Sequence, residues 1–172
     1  SDGFVNIIDS TDLSIEHITK GDSSITWKFD ANHVSDAVFS LSNHYMWQSS
    51  SLEVDKKTGR RTRVDAVFNP KHTDYFHVVV DARKTVDAMS YQFPKWPFPY
   101  NHETVFDGLD QMEYPMMVDD NPVQTRFDGV TLTSHEIFHT MFPFYMGTNE
   151  TKYGWMDEGW ATIGEWYISP LI

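Results

Sequence analysis

The sequence predicts an α+β chain, β-rich up to about residue 70 and helix-dominated after it. Three observations carry this. Apolar and polar residues alternate with period two in the first part, the mark of half-buried strands. After Asn69-Pro70 apolar residues instead recur every three or four positions, the helical period. At 40% hydrophobic and 15% aromatic, the 172 residues can bury a real core, as one ordinary domain or two small ones.

The elements follow in order. Ile25, Trp27 and Phe29 alternate with Thr26, Lys28 and Asp30; Ala37, Phe39 and Leu41 alternate with Val38, Ser40 and Ser42. Both runs read as strands. Lys57-Thr58-Gly59 reads as a hairpin turn leading into a strand over residues 61–68. The switch of period near residue 70 is the expected domain boundary, giving parts 1–70 and 71–172. Phe76, Val79, Val80, Arg83, Val86, Met89 and Phe93 then mark an amphipathic helix, with Thr73 as its N-cap and Pro94 as its stop. The aromatic and proline-rich run FPKWPFPYN links it to a strand-like HETVFDG. A second helix spans about 129–142, ended by Pro143. A third spans about 157–168, ended by Pro170. The six tryptophans are expected in the core.

Acids outnumber bases 25 to 13, for a formal net charge of −12. Nucleic acid is disfavoured as a partner, because phosphate binding needs clustered Lys and Arg. With no cysteine, disulfides and thiolate metal ligands are excluded. No apolar run approaches the ~20 residues of a membrane span. No feature distinguishes an exported from a cytoplasmic location.

The candidate site begins at SHEIFHT, residues 134–140, with His135, Glu136 and His139 in the order H-E-x-x-H. On a helix, residues four apart share a face, so His135 and His139 can present two imidazoles to one zinc ion. Glu136, rotated by about 100°, would lie beside the metal, where a general base for the attacking water belongs. Two histidines on a helix can equally be core or surface residues. A catalytic zinc takes three protein ligands, and here the third must be His, Asp or Glu. Eighteen residues separate His139 from Glu158, which stands within GWMDEGWAT. His17, His33, His44, His72, His77 and His102 have no partner at metal spacing and read as structural or surface residues.

HEIFH, eighteen residues and then WMDEGWAT resemble the gluzincin metallopeptidases, specifically the aminopeptidase N family, which pairs HExxH with a W-x-N-E-G-F-A-T segment. Asp157 and Trp160 replace the usual Asn and Phe. The resemblance implies that His135, His139 and Glu158 are ligands to one zinc ion and Glu136 is the general base. It also matches Glu165, with Thr162 between it and Glu158, to a position where relatives carry a carboxylate supporting a ligand histidine; a solvated surface glutamate is the alternative. Upstream, Met112-Glu113-Tyr114-Pro115 resembles the family's exopeptidase segment, an edge strand whose Glu binds the substrate's free α-amino group. That makes Glu113, next to Met112, the amine anchor. Asp110 and Gln111 depart from the small residues usual there.

The fold implied is the end of a β-sandwich-like domain followed by the first half of a thermolysin-like catalytic domain. Relatives are longer and use a downstream tyrosine for the oxyanion, so the implied partners are peptides with a free amino end and a missing C-terminal half of the same enzyme. The expected activity is removal of N-terminal residues from peptides. A thermolysin-like endopeptidase, a hydrolase of another substrate and a non-catalytic zinc-bearing interaction module are the rivals.

Overall fold

The computed structural model describes residues 13–20, 25–108 and 110–172, with side chains from residue 32 onward. The fold is mixed α and β, as the two periods predict. The chain divides into two compact units, with the division after Val34. The first unit contains strands β1 (Leu13–Lys20) and β2 (Ile25–Ala31), paired antiparallel with an irregularity between Ile15 and Ile18.

The second unit is built on a five-stranded sheet. Strands β3 (Met46–Asp55) and β4 (Arg60–Phe68) form an antiparallel hairpin. The predicted turn is present: Gly59 has φ +72°, a conformation glycine adopts without a Cβ penalty. The Asp55 carboxylate accepts from the Lys57 amide at 2.9 Å and the Thr58 hydroxyl at 2.8 Å. A crossover through helix α1 (Val78–Tyr91) then leads to β5 (His102–Asp107), parallel to β4. Strand β7 (Met117–Asp120) lies parallel to β5, and β6 (Met112–Tyr114) closes the edge antiparallel to β7, for an order β3-β4-β5-β7-β6. Helices α2 (Arg126–Phe138) and α3 (Glu158–Ile168) complete the unit.

The boundary expected at residue 70 is therefore misplaced. β3 and β4 share their sheet with β5 to β7, and the change of period marks entry into a crossover helix within one unit. Thr73 does not cap α1. It opens a tight turn, Thr73–His77, without a side-chain cap hydrogen bond, and α1 starts after it. The buried stripe of α1 is Val78, Asp81, Ala82, Thr85, Val86 and Met89, while Phe76 and Val80 from the predicted stripe are exposed. Val86 and Met89 of the predicted stripe are buried, and Asp81 lies on the inner face, paired with Arg126 of α2 at 2.6 Å. The strand expected over Ala37–Ser42 is absent: Phe39 is 83% and Leu41 89% exposed. Alternation stabilises a strand only where a neighbour takes its backbone hydrogen bonds, and no described strand pairs with this segment.

The core joins Val54, Val64, Ala66 and Phe68 of the hairpin to Val86 and Met89 of α1, Val105 of β5, Ile137 and Phe138 of α2 and Ile168 of α3. None of the described tryptophans belongs to it. Trp47, Trp96, Trp155 and Trp166 are exposed and Trp160 is half-buried. No helix of the described residues is long and apolar enough to cross a membrane.

Candidate metal centre

Helix α2 starts with a reciprocal cap. The Thr125 hydroxyl accepts the Asp128 amide at 3.2 Å and donates to the Asp128 carboxylate at 2.7 Å. Val130, Ile137 and Phe138 turn toward the core and fix which face is buried. That leaves His135 and His139, one turn apart, side by side with ring centroids 5.0 Å apart. The helix then loosens into a wide turn over Thr140–Tyr145, where the Phe144 and Met146 amides reach back five residues. Phe142 is extended there, at φ −134° and ψ 116°, and its carbonyl meets Nδ1 of His139 at 3.0 Å.

Helix α3 packs on α2 through Gly164, where a Cβ would run into the Phe138 ring. This close approach brings the first residue of α3, Glu158, over the two histidines. Its Oε2 lies 3.1 Å from Nε2 of His135 and 3.9 Å from Nε2 of His139. Two turns on, Glu165 Oε2 lies 3.2 Å from Nδ1 of His135. Each imidazole thus has Nδ1 occupied by an acceptor and Nε2 directed at Glu158. A carbonyl can only accept, so Nδ1 of His139 carries the proton and its Nε2 offers a lone pair. The donor atoms of His135, His139 and Glu158 all lie within 4.8 Å of one another, a set that could hold a metal ion. Two imidazoles and one carboxylate are ligand types that zinc takes.

The surroundings are acidic. Glu136, 5% exposed, has one carboxylate oxygen without a hydrogen-bond partner. Burial pushes its carboxyl up to about 9, and the charges of Asp120, Glu113, Glu158 and Asp157 add to the shift. Glu113, on the edge strand β6, has a donor oxygen within 4.8 Å of those of Glu136 and His139, and burial raises it as well. Burial holds His139 below the usual histidine value, which favours the neutral, metal-ligating form. A dication among these groups would offset their mutual repulsion.

The structure thus brings together His135, His139, Glu158, Glu136, Glu113 and Glu165. It does not bring Met112 or Thr162 into the site. The side chain of Met112 alternates with Glu113 to the other face of β6, where it lines an open cleft of about 810 Å³ with Phe106, Tyr114 and Met117. Thr162 lies half-buried on α3 and makes no side-chain hydrogen bond to a described residue. Sequence reasoning missed three groups: the Phe142 carbonyl, buried Asp120 behind Glu136, and Asp157, whose Oδ1 is 2.5 Å from Nδ1 of His139. Only Asp157 left a signal, as a departure from the Asn of the resembling motif. No protein-family model matches the chain, and no curated protein matches it.

Proposed function

We propose that this chain carries the zinc site of an aminopeptidase of the aminopeptidase N type, within a thermolysin-like catalytic domain. One observation carries the reading. Two imidazoles and a carboxylate converge on one point, and a second carboxylate, Glu113 on a sheet edge, stands beside the same cluster. A metal alone explains the first three; the placement of Glu113 gives the site a direction.

When bound, zinc supplies a Lewis acid that polarises the scissile carbonyl and acidifies the attacking water. His135, His139 and Glu158 hold it, and Glu165 fixes the ring of His135. Glu136 takes the proton of the attacking water and hands it to the leaving amine. Glu113 pairs with the substrate's terminal ammonium, so that the first peptide bond lies at the reacting centre. Among the described residues β6 ends the sheet, and a sheet edge suits the addition of an extended peptide. A substrate without a free amine leaves half-buried Glu113 unpaired, which selects for exopeptidase cleavage.

Two measurements test this. Elemental analysis of the purified chain is expected to give one zinc per molecule, lost on His135→Ala; zinc retained in that variant overturns the ligand set. The full-length protein is expected to cleave peptides with a free amino end and to spare their acetylated forms. Equal cleavage of the acetylated peptides removes Glu113 from its role and points to an endopeptidase. A zinc-loaded protein inert toward every free-amine peptide supports a non-catalytic module instead.

A further inference from the structure

Strand β6 has a second face, turned away from the metal cluster. Met112 stands opposite Asp119 and Tyr114 opposite Met117 across β6 and β7, and Phe106 stands opposite Asp119 across β5 and β7. Residues opposite one another in a sheet share a face. Their chain neighbours Val105 and Val118 belong to the core, so these five side chains lie on the outer face of the sheet. Glu113, opposite Val118, is on the inner face with Glu136 and His139. The outer face forms one side of the open cleft of about 810 Å³, and residues 38–45 form another, with Tyr45 stacked on Phe106 at 5.3 Å. Asp110 and Asp119 line this cleft, and no Lys or Arg does. Oδ1 of Asp119 is buried without a hydrogen-bond partner among the described residues. Gly108 leaves room for that carboxylate, because a Cβ there would stand 2.8 Å from Cγ of Asp119. Burial raises the Asp119 carboxyl, and the charge of Asp110 adds to the shift. The remaining charged or titratable neighbours are engaged: Asp107 accepts from the Asn69 amide at 2.9 Å and lies 2.6 Å from Nδ1 of His72, and Nδ1 of His44 lies 3.0 Å from the Asn43 side-chain oxygen.

We propose that this cleft is a specificity site for the substrate peptide, taking the side chain of its second residue and favouring lysine or arginine there. The proposal rests on the aminopeptidase reading above and adds a substrate class to it. An extended peptide laid along β6 continues the sheet and sends alternate side chains to its two faces. With the first residue opposite Glu113, the second falls opposite a neighbour of Glu113 and so lies on the cleft side. There Met112, Phe106 and Met117 offer apolar surface to a long aliphatic stem, and Asp110 and Asp119 offer charge to its cationic head. A leucine satisfies only the apolar part, and a glutamate is repelled by both acids. A cation in this place also relieves the repulsion between the two carboxylates.

The test is calorimetric titration of the chain with short peptides, the protein being kept metal-free by a chelator so that none is cleaved. Ala-Lys-Ala-Ala is expected to bind roughly 3- to 10-fold more tightly than Ala-Leu-Ala-Ala, and Ala-Glu-Ala-Ala more weakly than either. Asp110→Asn combined with Asp119→Asn is expected to abolish the advantage of lysine while leaving the leucine peptide unchanged. Circular dichroism checks the fold of the variant, and Asp110→Asn alone, at an exposed position, is expected to act in the same direction. A lysine moved to the third residue falls on the Glu113 face, so its binding is expected to be insensitive to both substitutions. Equal affinity for the lysine and leucine peptides overturns the proposal, and so does a lysine advantage that survives the double substitution. Acetylated peptides test Glu113 separately. Binding that is lost on acetylation but indifferent to the second residue keeps the amine anchor and removes the cleft. A lysine preference that depends on Asp110 and Asp119 but ignores acetylation keeps the cleft and removes the anchor.

Discussion

At the level of single residues, the roles separate by what each group can reach. Glu136 is next in sequence to His135 but is directed beside the cluster, buried, with one carboxylate oxygen unpartnered. Glu136→Gln keeps the shape and removes the basicity. It is expected to retain zinc in elemental analysis while turnover of a free-amine peptide falls by about 10²- to 10⁴-fold; turnover at the unmodified rate would remove Glu136 as the base. The spacing of the candidate ligands was readable because it is a one-dimensional record of helix geometry: four residues from His135 in α2 to His139 at its C-terminal end, then a fixed interval to the start of α3. The Phe142 carbonyl was not readable, because any residue has a carbonyl and only a local break in the helix aims this one at His139. Asp120 was hidden for another reason. It sits at the end of β7, bonded to the Thr133 hydroxyl at 2.6 Å, and approaches Glu136 only after strand and helix pack.

Among the elements, the distance between α2 and α3 decides whether the site exists. His135 and Glu136 lie on α2 and His139 at its C-terminal end, Glu158 and Glu165 lie on α3, and Gly164 sets how closely the two helices lie. Alanine is the better helix former by about 1 kcal/mol, which alone would favour Gly164→Ala. The added methyl, however, meets the ring of Phe138, which is 1% exposed and stacked on Phe93, so it has no free space to enter. Overpacking of this kind costs about 1–3 kcal/mol and outweighs the propensity gain. Gly164→Ala is expected to lower the thermal midpoint and to weaken zinc binding together, because displacing α3 moves Glu158 and Glu165. A raised midpoint would show that the helices part without strain. The helices were legible from their period, whereas the start of α1 was not. Val86 and Met89 face inward as their period implies, but Phe76 lies in the tight turn Thr73–His77 ahead of the helix and Val80 is exposed.

For the molecule as a whole, charge and burial are at odds. The formal −12 counts every acid as ionised, yet Glu103 is fully buried and held well above the usual carboxylate range by desolvation. Burial likewise pushes Asp120 up to about 7 from an ordinary 3.8. The folded chain therefore keeps a proton on Asp120 that the unfolded chain has already released. That contribution to stability is full below pH 3.8 and is lost as pH rises through about 7. Burial acts oppositely on His102, lowering it to about 4 from 6.5, with Arg63 adding to the shift. Its contribution is full above 6.5 and is lost as pH falls through about 4. Chemical denaturation of the metal-free chain is expected to show stability declining from about pH 6.5 to 8, where His102 no longer offsets the loss, and Asp120→Asn is expected to flatten the decline. An identical profile in the variant would mean that Asp120 is ionised throughout. The composition anticipated the acidity of the surface. It could not indicate which acids lie inside, since β5 and β7 carry theirs on positions that only the finished sheet buries.

The exposed tryptophans give the chain an optical signature. Trp155 and Trp166 are 66% and 70% exposed, and half-buried Trp160, stacked on Phe142 at 5.1 Å, sits two residues from Glu158. Emission from Trp155 and Trp166 should therefore resemble that of hydrated indole, and chemical denaturation should move its colour little. Anything that dries the outer side of α3 should shift the spectrum to the blue, whether a partner surface or a neighbouring part of a longer chain. The stacked pair at Phe142 and Trp160 joins the segment that orients His139 to the segment that carries Glu158. Fluorescence thus offers a label-free record of how the two halves of the site come together.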